Sequence, residues 1–323
     1  MKPTILGIDI SKKKFHAALM LENGKTKPKV FSNDPEKFNE LLTWPNRHHV
    51  TSIHACMEAT SIYGEALAEF LYEAGFTVSV VNPARIKGFA KGELLRTKTD
   101  QVDAALIARF CAAIRPPAWL PLSPEVKERQ ALLRRLESLM EIQQQEKNLL
   151  ETATGTIAKS IESHLEYLEQ AISQTKEPIS GHFYQHPNLK AQRDLLTTIP
   201  GIGEHSAAVI LAEIGTVQAY KNARQVAAHA GLTPVERKSG SSVNGKPRLS
   251  RMGNARLRNG LYWPAIVAWR HNPLLKTFGD RLLARGKAKM QVIGAVMRKL
   301  LHLAFGILKS NKPFDPNFLS TAP

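Results

Sequence analysis

The chain has 323 residues, of which 43% are hydrophobic and 22% are charged, and its net charge is +16. This is the composition of a globular protein with room for two or three domains. No stretch is expected to reach the length of a membrane span, and the first residues (MKPTILGIDIS) are too short and too polar for a signal peptide. The two cysteines, Cys56 and Cys111, lack the spacing of metal ligands, which favours a reduced cytoplasmic setting.

Residues 1–120 alternate strand and helix patterns, and they predict a mixed α/β sheet. Strands are expected at 5–11, 15–21, 51–58 and 77–83, and helices at 35–43 and 61–74. Asp9 lies in the middle of the first apolar strand, and Glu58 ends the strand TSIHACME. An ionised group in such a strand is costly unless it is paired or binds a cation.

The stretch TKTDQVDA (97–104) opens the next helix and places Asp100 and Asp103 on one face of its first turn. Thr99 is a suitable N-cap, and acids in a first turn stabilise a helix, so this role alone explains both residues. If the helix crosses a sheet in which Glu58 lies beside Asp9, four carboxylates converge. They would repel one another without a divalent cation such as Mg²⁺ or Mn²⁺, the arrangement of RNase H-like nucleases.

Residues 121–185 are predicted to be helical, with apolar residues at spacings of three and four. The pattern is typical of an exposed helical hairpin or coiled coil. A packed helix pair within one domain is an equal alternative, and both are compatible with dimerisation.

Residues 186–323 form the third predicted region, which is mainly helical and basic. Residues 236–323 contain 17 Lys and Arg against three acids, a net +14, so the remaining 235 residues carry only +2. An evenly basic surface would not concentrate charge in this way, and the asymmetry indicates a nucleic-acid partner.

Two motifs in this third region suggest phosphate contacts. The turn Pro200-Gly201-Ile202-Gly203 lies between two helical patterns, as in a helix-hairpin-helix element, and predicts phosphate binding by backbone amides at Gly201 and Gly203. A Gly/Ser loop follows among seven cations: Arg237, Lys238, Lys246, Arg248, Arg251, Arg256 and Arg258. Such a loop either holds backbone phosphates or presents a serine nucleophile, and no nearby base decides between the two.

Six segments in this order resemble the DEDD transposases of bacterial insertion sequences and the related Piv-type DNA invertases. They are GIDISKKKFHAAL, CMEATSIYGE, RTKTDQVDA, TIPGIGE, GLTPVERKSGSS and RMGNARLRNGLYWPA. The resemblance covers nearly the whole chain. One departure is Ser61, where relatives often have Gly, and this position is not a ligand.

The resemblance implies a RuvC-like (RNase H fold) domain whose DEDD tetrad is Asp9, Glu58, Asp100 and Asp103. It implies a serine nucleophile at Ser239, with Ser241 and Ser242 as further candidates. It also implies assembly through the coiled coil, as a homodimer and as a tetramer in the synaptic complex, with a composite site shared between subunits. Donor and target DNA would be selected by a bridge RNA, in a bacterial cytoplasm where the active protein associates with the nucleoid.

Three other functions fit parts of the pattern. A metal-dependent junction resolvase would use the carboxylates and water, without a serine. A basic nucleic-acid-binding scaffold would use the acids only as caps and ion pairs. An actin-like ATPase shares the GIDIS opening, but it requires further glycine-rich phosphate loops, which the sequence lacks.

Overall fold

The computed structural model describes residues 3–48, 50, 52–59, 62–94, 99–239 and 243–317. The chain folds as two compact units, Met1–Leu122 and Ser123–Pro323. In the described residues the first unit is a sheet covered by helices, and the second is helical with one strand hairpin.

The first unit is built on a mixed sheet in the order β3-β2-β1-β4-β5. β1, β2 and β3 form an antiparallel meander, and β4 and β5 run parallel to β1. The strands are β1 (Thr4–Ile10), β2 (Lys14–Met20), β3 (Thr26–Ser32), β4 (Ile53–Glu58) and β5 (Thr77–Val81). The predicted mixed sheet is therefore confirmed, and β4 lies beside β1 as the convergence of acids requires.

Helices on the two faces of this sheet bury separate apolar clusters. One cluster contains Phe15, Phe38 and Leu67, and the other joins Cys56 of β4 to Phe110 and Cys111. The helices of the unit are α1 (Asn39–Asn46), α2 (Glu65–Glu73), α3 (Pro83–Gly92) and α4 (Asp100–Ile114). The helix predicted at 35–43 starts later, because a 3-10 turn capped by Asp34 precedes α1.

Helix α4 approaches the sheet closely at Gly7 of β1. A Cβ atom on Gly7 would collide with the carbonyl oxygen of Ala104 and the backbone nitrogen of Ala108. Because both obstacles are backbone atoms, neither can rotate away. The glycine therefore sets the height of α4 above β1, and with it the position of the acidic first turn.

The variant Gly7→Ala is expected to lose about 1–3 kcal/mol of stability, the usual cost of overpacking a close contact. Gly88→Ala in α3 is the matched control, since a Cβ there meets nothing within 4 Å; it is expected to be neutral or slightly stabilising. Urea unfolding followed by circular dichroism measures both. An unchanged midpoint for Gly7→Ala would contradict the close approach.

The second unit is organised around one core shared by all its helices. The helices are α5 (Pro124–Leu150), α6 (Gly155–Gln185), α7 (Pro187–Thr197), α8 (Glu204–Ile214), α9 (Ala223–His229), α10 (Ala255–Gly260), α11 (Tyr262–His271), α12 (Pro273–Ala284) and α13 (Lys289–Ser310). Two strands, β6 (Pro234–Ser239) and β7 (Val243–Leu249), form an antiparallel hairpin between α9 and α10.

Helices α5 and α6 form a long hairpin whose base belongs to this core. Leu136, Leu139 and Leu168 are buried in the same cluster as the apolar residues of α8 and α13. Towards the connecting turn, Leu149 and Ile157 are 57% and 67% exposed. The helical region expected at 121–185 thus shares a core with the residues that follow it, and the coiled coil stays a prediction.

Helix α13 is the central helix of the second unit. By length and mean hydropathy (1.4) it is apolar enough to cross a membrane, so the prediction that no stretch approaches this length is wrong for α13. However, 56% of its apolar window is buried inside the protein. Residues such as Val292, Val296, Leu300 and Ala304 are fully buried, which is the pattern of a core helix.

Candidate active site

The first turn of α4 carries the two acids of TKTDQVDA. Thr99 has an extended backbone, and its Oγ1 accepts a hydrogen bond from the Val102 amide at 3.3 Å, which is the N-cap predicted from the sequence. Asp100 is exposed and Asp103 is half-buried. Both lie at the positive end of the helix, so they stabilise it whatever else they do.

The other two acids lie next to each other on the face of the sheet that α4 covers. Gly7 and Cys56 are paired across β1 and β4, and both face α4. Asp9 and Glu58 follow them by two residues, so their side chains point to the same face. Ile8 and Met57, the residues just before Asp9 and Glu58, are paired across the two strands.

A third strand brings basic side chains to the same place. His16 of β2 pairs with Asp9, and Lys14 lies two residues away on the same face. The Asp100 Oδ2 atom lies 3.2 Å from His16 Nε2 and 3.7 Å from Lys14 Nζ. His16 Nε2 is buried and has no hydrogen-bond partner among the described residues. Its 3.2 Å contact with Asp100 is therefore close but is not a hydrogen bond.

Neither Lys14 nor His16 was predicted as a site residue. Their signal was the alternation along KFHAALM, which places Lys14 and His16 on one face of β2. It became informative only once the register of β2 on β1 was known.

The structure therefore brings Asp9, Glu58 and Asp100 to one end of the sheet without closing them around a cation. Within the described residues no three His, Cys, Asp or Glu side chains lie close enough together to hold a metal ion. The side chain of Asp100 is instead directed to Lys14 and His16. The donor set still fits a hard divalent cation, since all four predicted ligands are carboxylates.

Behind the acids, two thiols fix α4 to β4. Cys56 and Cys111 are fully buried and hydrogen-bonded to each other. This hydrogen bond and burial raise the pKa of Cys56 far above its ordinary value, so its thiol stays protonated. The two cysteines belong to the apolar cluster that packs α4 against β4.

The serine motif lies in the second unit, on the β6–β7 hairpin. The segment was expected to be a loop, and this is wrong for its flanks, because Lys238 and Ser239 pair with Asn244 and Val243. A short Gly/Ser connection permits this pairing. Gly240, Ser241 and Ser242 lie outside the described residues, as do the side chains of Arg237, Lys238, Ser239 and Lys246.

Two of the seven predicted nucleic-acid-binding cations are engaged inside the fold. The Arg258 guanidinium donates hydrogen bonds to the carbonyl oxygens of Ala230 at 3.1 Å and Arg251 at 3.3 Å. Burial and the charge of Arg251 lower the pKa of Arg258. Arg256 lies 3.3 Å from Glu137 of α5. Arg248 and Arg251 are exposed, as a phosphate contact requires.

The Pro-Gly-Ile-Gly turn joins α7 to α8 as predicted, but its two glycines differ. Gly201 has φ +106°, and a Cβ there would lie 2.6–2.7 Å from atoms of Ala268 in α11. Packing therefore explains Gly201 without a ligand. Gly203 is exposed with nothing within 4 Å of its Cβ position, and it precedes the first turn of α8.

Comparison with known proteins decides the family. Residues 6–155 match a model of DEDD transposases described as "Transposase", and residues 193–280 match the "Transposase IS116/IS110/IS902 family". The pilin gene-inverting protein of Moraxella bovis is 34% identical over 318 residues, which cover 98% of each chain. The chain belongs to the IS110 family of transposases and gene-inverting proteins.

Other relatives of this IS110-family protein match over shorter stretches. The insertion element IS110 uncharacterized 43.6 kDa protein of Streptomyces coelicolor is 28% identical over 53% of this chain and 42% of that protein. The structure of Thermus thermophilus RuvC aligns with 36% of this chain and 99% of its own, at 16% identity and a TM-score of 0.27. The resemblance seen in the sequence motifs is confirmed, and the family member is a transposase or DNA invertase of the DEDD type.

Proposed function

We propose that this IS110-family protein cuts and rejoins DNA by phosphoryl transfer, with Ser239 as nucleophile and a carboxylate site formed by Asp9, Glu58, Asp100 and Asp103. The observation that carries the proposal is the position of the acids. Asp9 and Glu58 are neighbours on the covered face of the sheet, and the acidic first turn of α4 begins at the same end. A purely structural role does not require acids from two strands and a helix to share one end.

The four carboxylates would hold Mg²⁺ or Mn²⁺, and a divalent cation bound there would neutralise charge on the scissile phosphate and on the leaving oxygen. To join such a site, Asp100 would have to exchange its contacts with Lys14 and His16 for the cation. Those contacts are 3.2 and 3.7 Å long, and both Lys14 and Asp100 are more than half exposed, so the exchange requires only side-chain rotation.

Ser239 would attack the phosphorus atom through its hydroxyl oxygen and lose its proton. The bond between phosphorus and a deoxyribose oxygen breaks, and that oxygen leaves as a hydroxyl group. The resulting phosphoserine ester keeps the energy of the broken bond. A deoxyribose hydroxyl of the exchanged strand then attacks the ester, which restores the serine and seals the new junction.

The remaining features would position nucleic acid. Exposed Arg248 and Arg251, with Arg237, Lys238 and Lys246 on the serine hairpin, would contact backbone phosphates, and the amides after Gly203 and Gly201 would add a further contact. Binding of this kind is mostly electrostatic and weakens strongly with salt. DNA sequence would be selected by base pairing with a bridge RNA.

We propose a homodimer that pairs as a tetramer on donor and target DNA in the bacterial cytoplasm, associated with the nucleoid when active. The exposed apolar residues near the α5–α6 turn, such as Leu149, Ile157 and Tyr167, support assembly through this hairpin. The carboxylates of one subunit would act with the serine of another.

Reconstitution tests this function. Purified protein, RNA transcribed from the sequence that flanks its gene, and donor and target plasmids are incubated with Mg²⁺, and new junctions are amplified and sequenced. We expect junctions only when protein, RNA and Mg²⁺ are all present. Recombination of one defined site pair by protein alone would overturn RNA guidance, and cleavage without rejoined junctions would indicate a nuclease.

A further inference from the structure

The second unit contains a wide cleft next to the serine hairpin, and of the residues with predicted roles it includes Arg248, Arg251 and Arg258. Its volume is about 1520 Å³, larger than the roughly 300–1,000 Å³ typical of small-molecule sites. Its walls come from α9, the end of β7, α11, α12 and α13. A cleft of this size suits a segment of a polymer better than a metabolite.

The charge of the cleft is of one sign. No Asp or Glu is among the described residues that line the cleft, whereas six cations contribute to its lining: Arg224, Arg248, Arg251, Lys287, Arg298 and Lys299. None of these six forms an ion pair with an acid among the residues that the structure describes. Cations held together without acids attract a polyanion, and low-dielectric walls strengthen the attraction.

His302 in the wall of the cleft is subject to the positive potential of these cations. Its Nε2 atom is buried and has no hydrogen-bond partner among the described residues. Burial and the neighbouring charges of Arg298, Lys299 and Arg224 lower its pKa. The cations of the cleft thus disfavour the protonated form of this imidazole.

The cleft also exposes an aromatic surface beside these cations. Trp263 of α11 is 70% exposed, and Met290 at the start of α13 is 63% exposed. Tyr262 supports the indole in an edge-on contact, with ring centroids 5.4 Å apart. The exposed indole and methionine together form an apolar surface on which a flat ligand can stack.

We propose that this cleft binds an unpaired nucleotide segment of a nucleic-acid strand, with a base stacked on Trp263 and the flanking phosphates held by Arg224, Arg248, Arg251, Lys287, Arg298 and Lys299. Bases inside a duplex already stack on each other, so they have no free face to stack on an indole. An unpaired base has a free face, and the combination of cations with an exposed aromatic ring is typical of single-strand binding. The inference rests on the proposed function only in taking nucleic acid as the substrate class.

The strand has two possible sources, DNA opened at the recombination site and a loop of the guide RNA. Both present the same chemistry of phosphates and a stacking base. The test therefore uses labelled single-stranded DNA and single-stranded RNA of the same sequence, about 12 nucleotides long, with the corresponding DNA duplex as a third probe.

Full-length wild type, Trp263→Ala, Trp263→Phe and Lys287→Gln are compared by fluorescence anisotropy. We expect Trp263→Ala to weaken single-strand binding on the order of 10-fold, while duplex binding changes little and Trp263→Phe keeps most of the affinity. Lys287→Gln should reduce the salt dependence of binding by about one unit of slope. Tyr184→Ala and Lys159→Gln on α6 are controls, because both side chains are exposed and lie outside the cleft.

A loss of affinity for single-stranded DNA or RNA that exceeds the loss for the duplex supports the proposal. The single strand with the larger loss identifies the source of the bound segment. An unchanged single-strand affinity in Trp263→Ala, or an equal loss on the duplex probe, overturns it. Since Trp263 is exposed, its replacement should not unfold the protein, and circular dichroism checks this. The proposed function is tested separately, by junction formation with Ser239→Ala and Asp9→Asn, so the failure of one proposal is distinguishable from the failure of the other.

Discussion

Asp9→Asn is expected to reduce recombination by about 100-fold or more while the protein stays folded. Asp9 is half-buried at the carboxyl end of β1, beside Glu58 and opposite His16. The amide has the same shape as the carboxylate, but it lacks the charge that a cation at this position requires. Loss of one group that stabilises transition-state charge commonly costs two to three orders of magnitude, so roughly a 100-fold effect is a lower bound.

Glu22→Gln is the matched control for charge removal in the same unit. Glu22 is exposed in the turn after β2, far along the strand from the acidic end, and its replacement should leave recombination unchanged. Junction formation is measured by quantitative PCR, and folding by thermal melting. Full recombination by Asp9→Asn would show that the acid only pairs within the fold, as the scaffold interpretation holds.

Ser239→Ala is expected to abolish recombination, with a loss on the order of 10⁴-fold or more, because removal of a nucleophile leaves no alternative route to a covalent intermediate. The substitution is small, and Ser239 lies at the end of β6 next to the hairpin tip, where alanine continues the backbone. Stability should therefore change little. Recombination is again measured as junction formation by quantitative PCR, with the same guide RNA.

Ser241→Ala and Ser242→Ala separate the nucleophile from its neighbours. We expect both to retain recombination, since only Ser239 carries the proposed role. If Ser239→Ala recombines normally and one of the other two variants is inactive, the nucleophile has been assigned to the wrong serine. If all three are active, serine catalysis itself is wrong.

The sequence predicts the first unit well because its signals are local. Alternation of apolar residues locates β1, β2 and β4, and Thr99 followed by two acids locates the start of α4. The adjacency of β1 and β4 was only a condition for the convergence of Asp9 and Glu58, and the sequence did not predict the parallel pairing of the two strands. The contact of Asp100 with His16 was not predicted, because it depends on the register between two strands.

Other features depend on packing between distant segments. Gly201 is predicted from its turn to contact phosphate, and no local pattern shows that its missing side chain also makes room for Ala268, 67 positions later in the chain. Arg258 counted as a surface cation until its hydrogen bonds to the carbonyls of Ala230 and Arg251 were seen. The cleft with Trp263 is assembled from residues 224 to 302, and no local pattern marks such a site.

The most direct measurement is a search for the covalent protein–DNA intermediate. Protein, guide RNA, end-labelled donor and target DNA and Mg²⁺ are incubated, denatured and separated on a gel, for wild type, Ser239→Ala and Asp9→Asn. We predict a protease-sensitive adduct in wild type that is absent from both variants. Cleaved DNA without an adduct, at the same level in wild type and Ser239→Ala, would contradict the account and make the protein a hydrolytic nuclease.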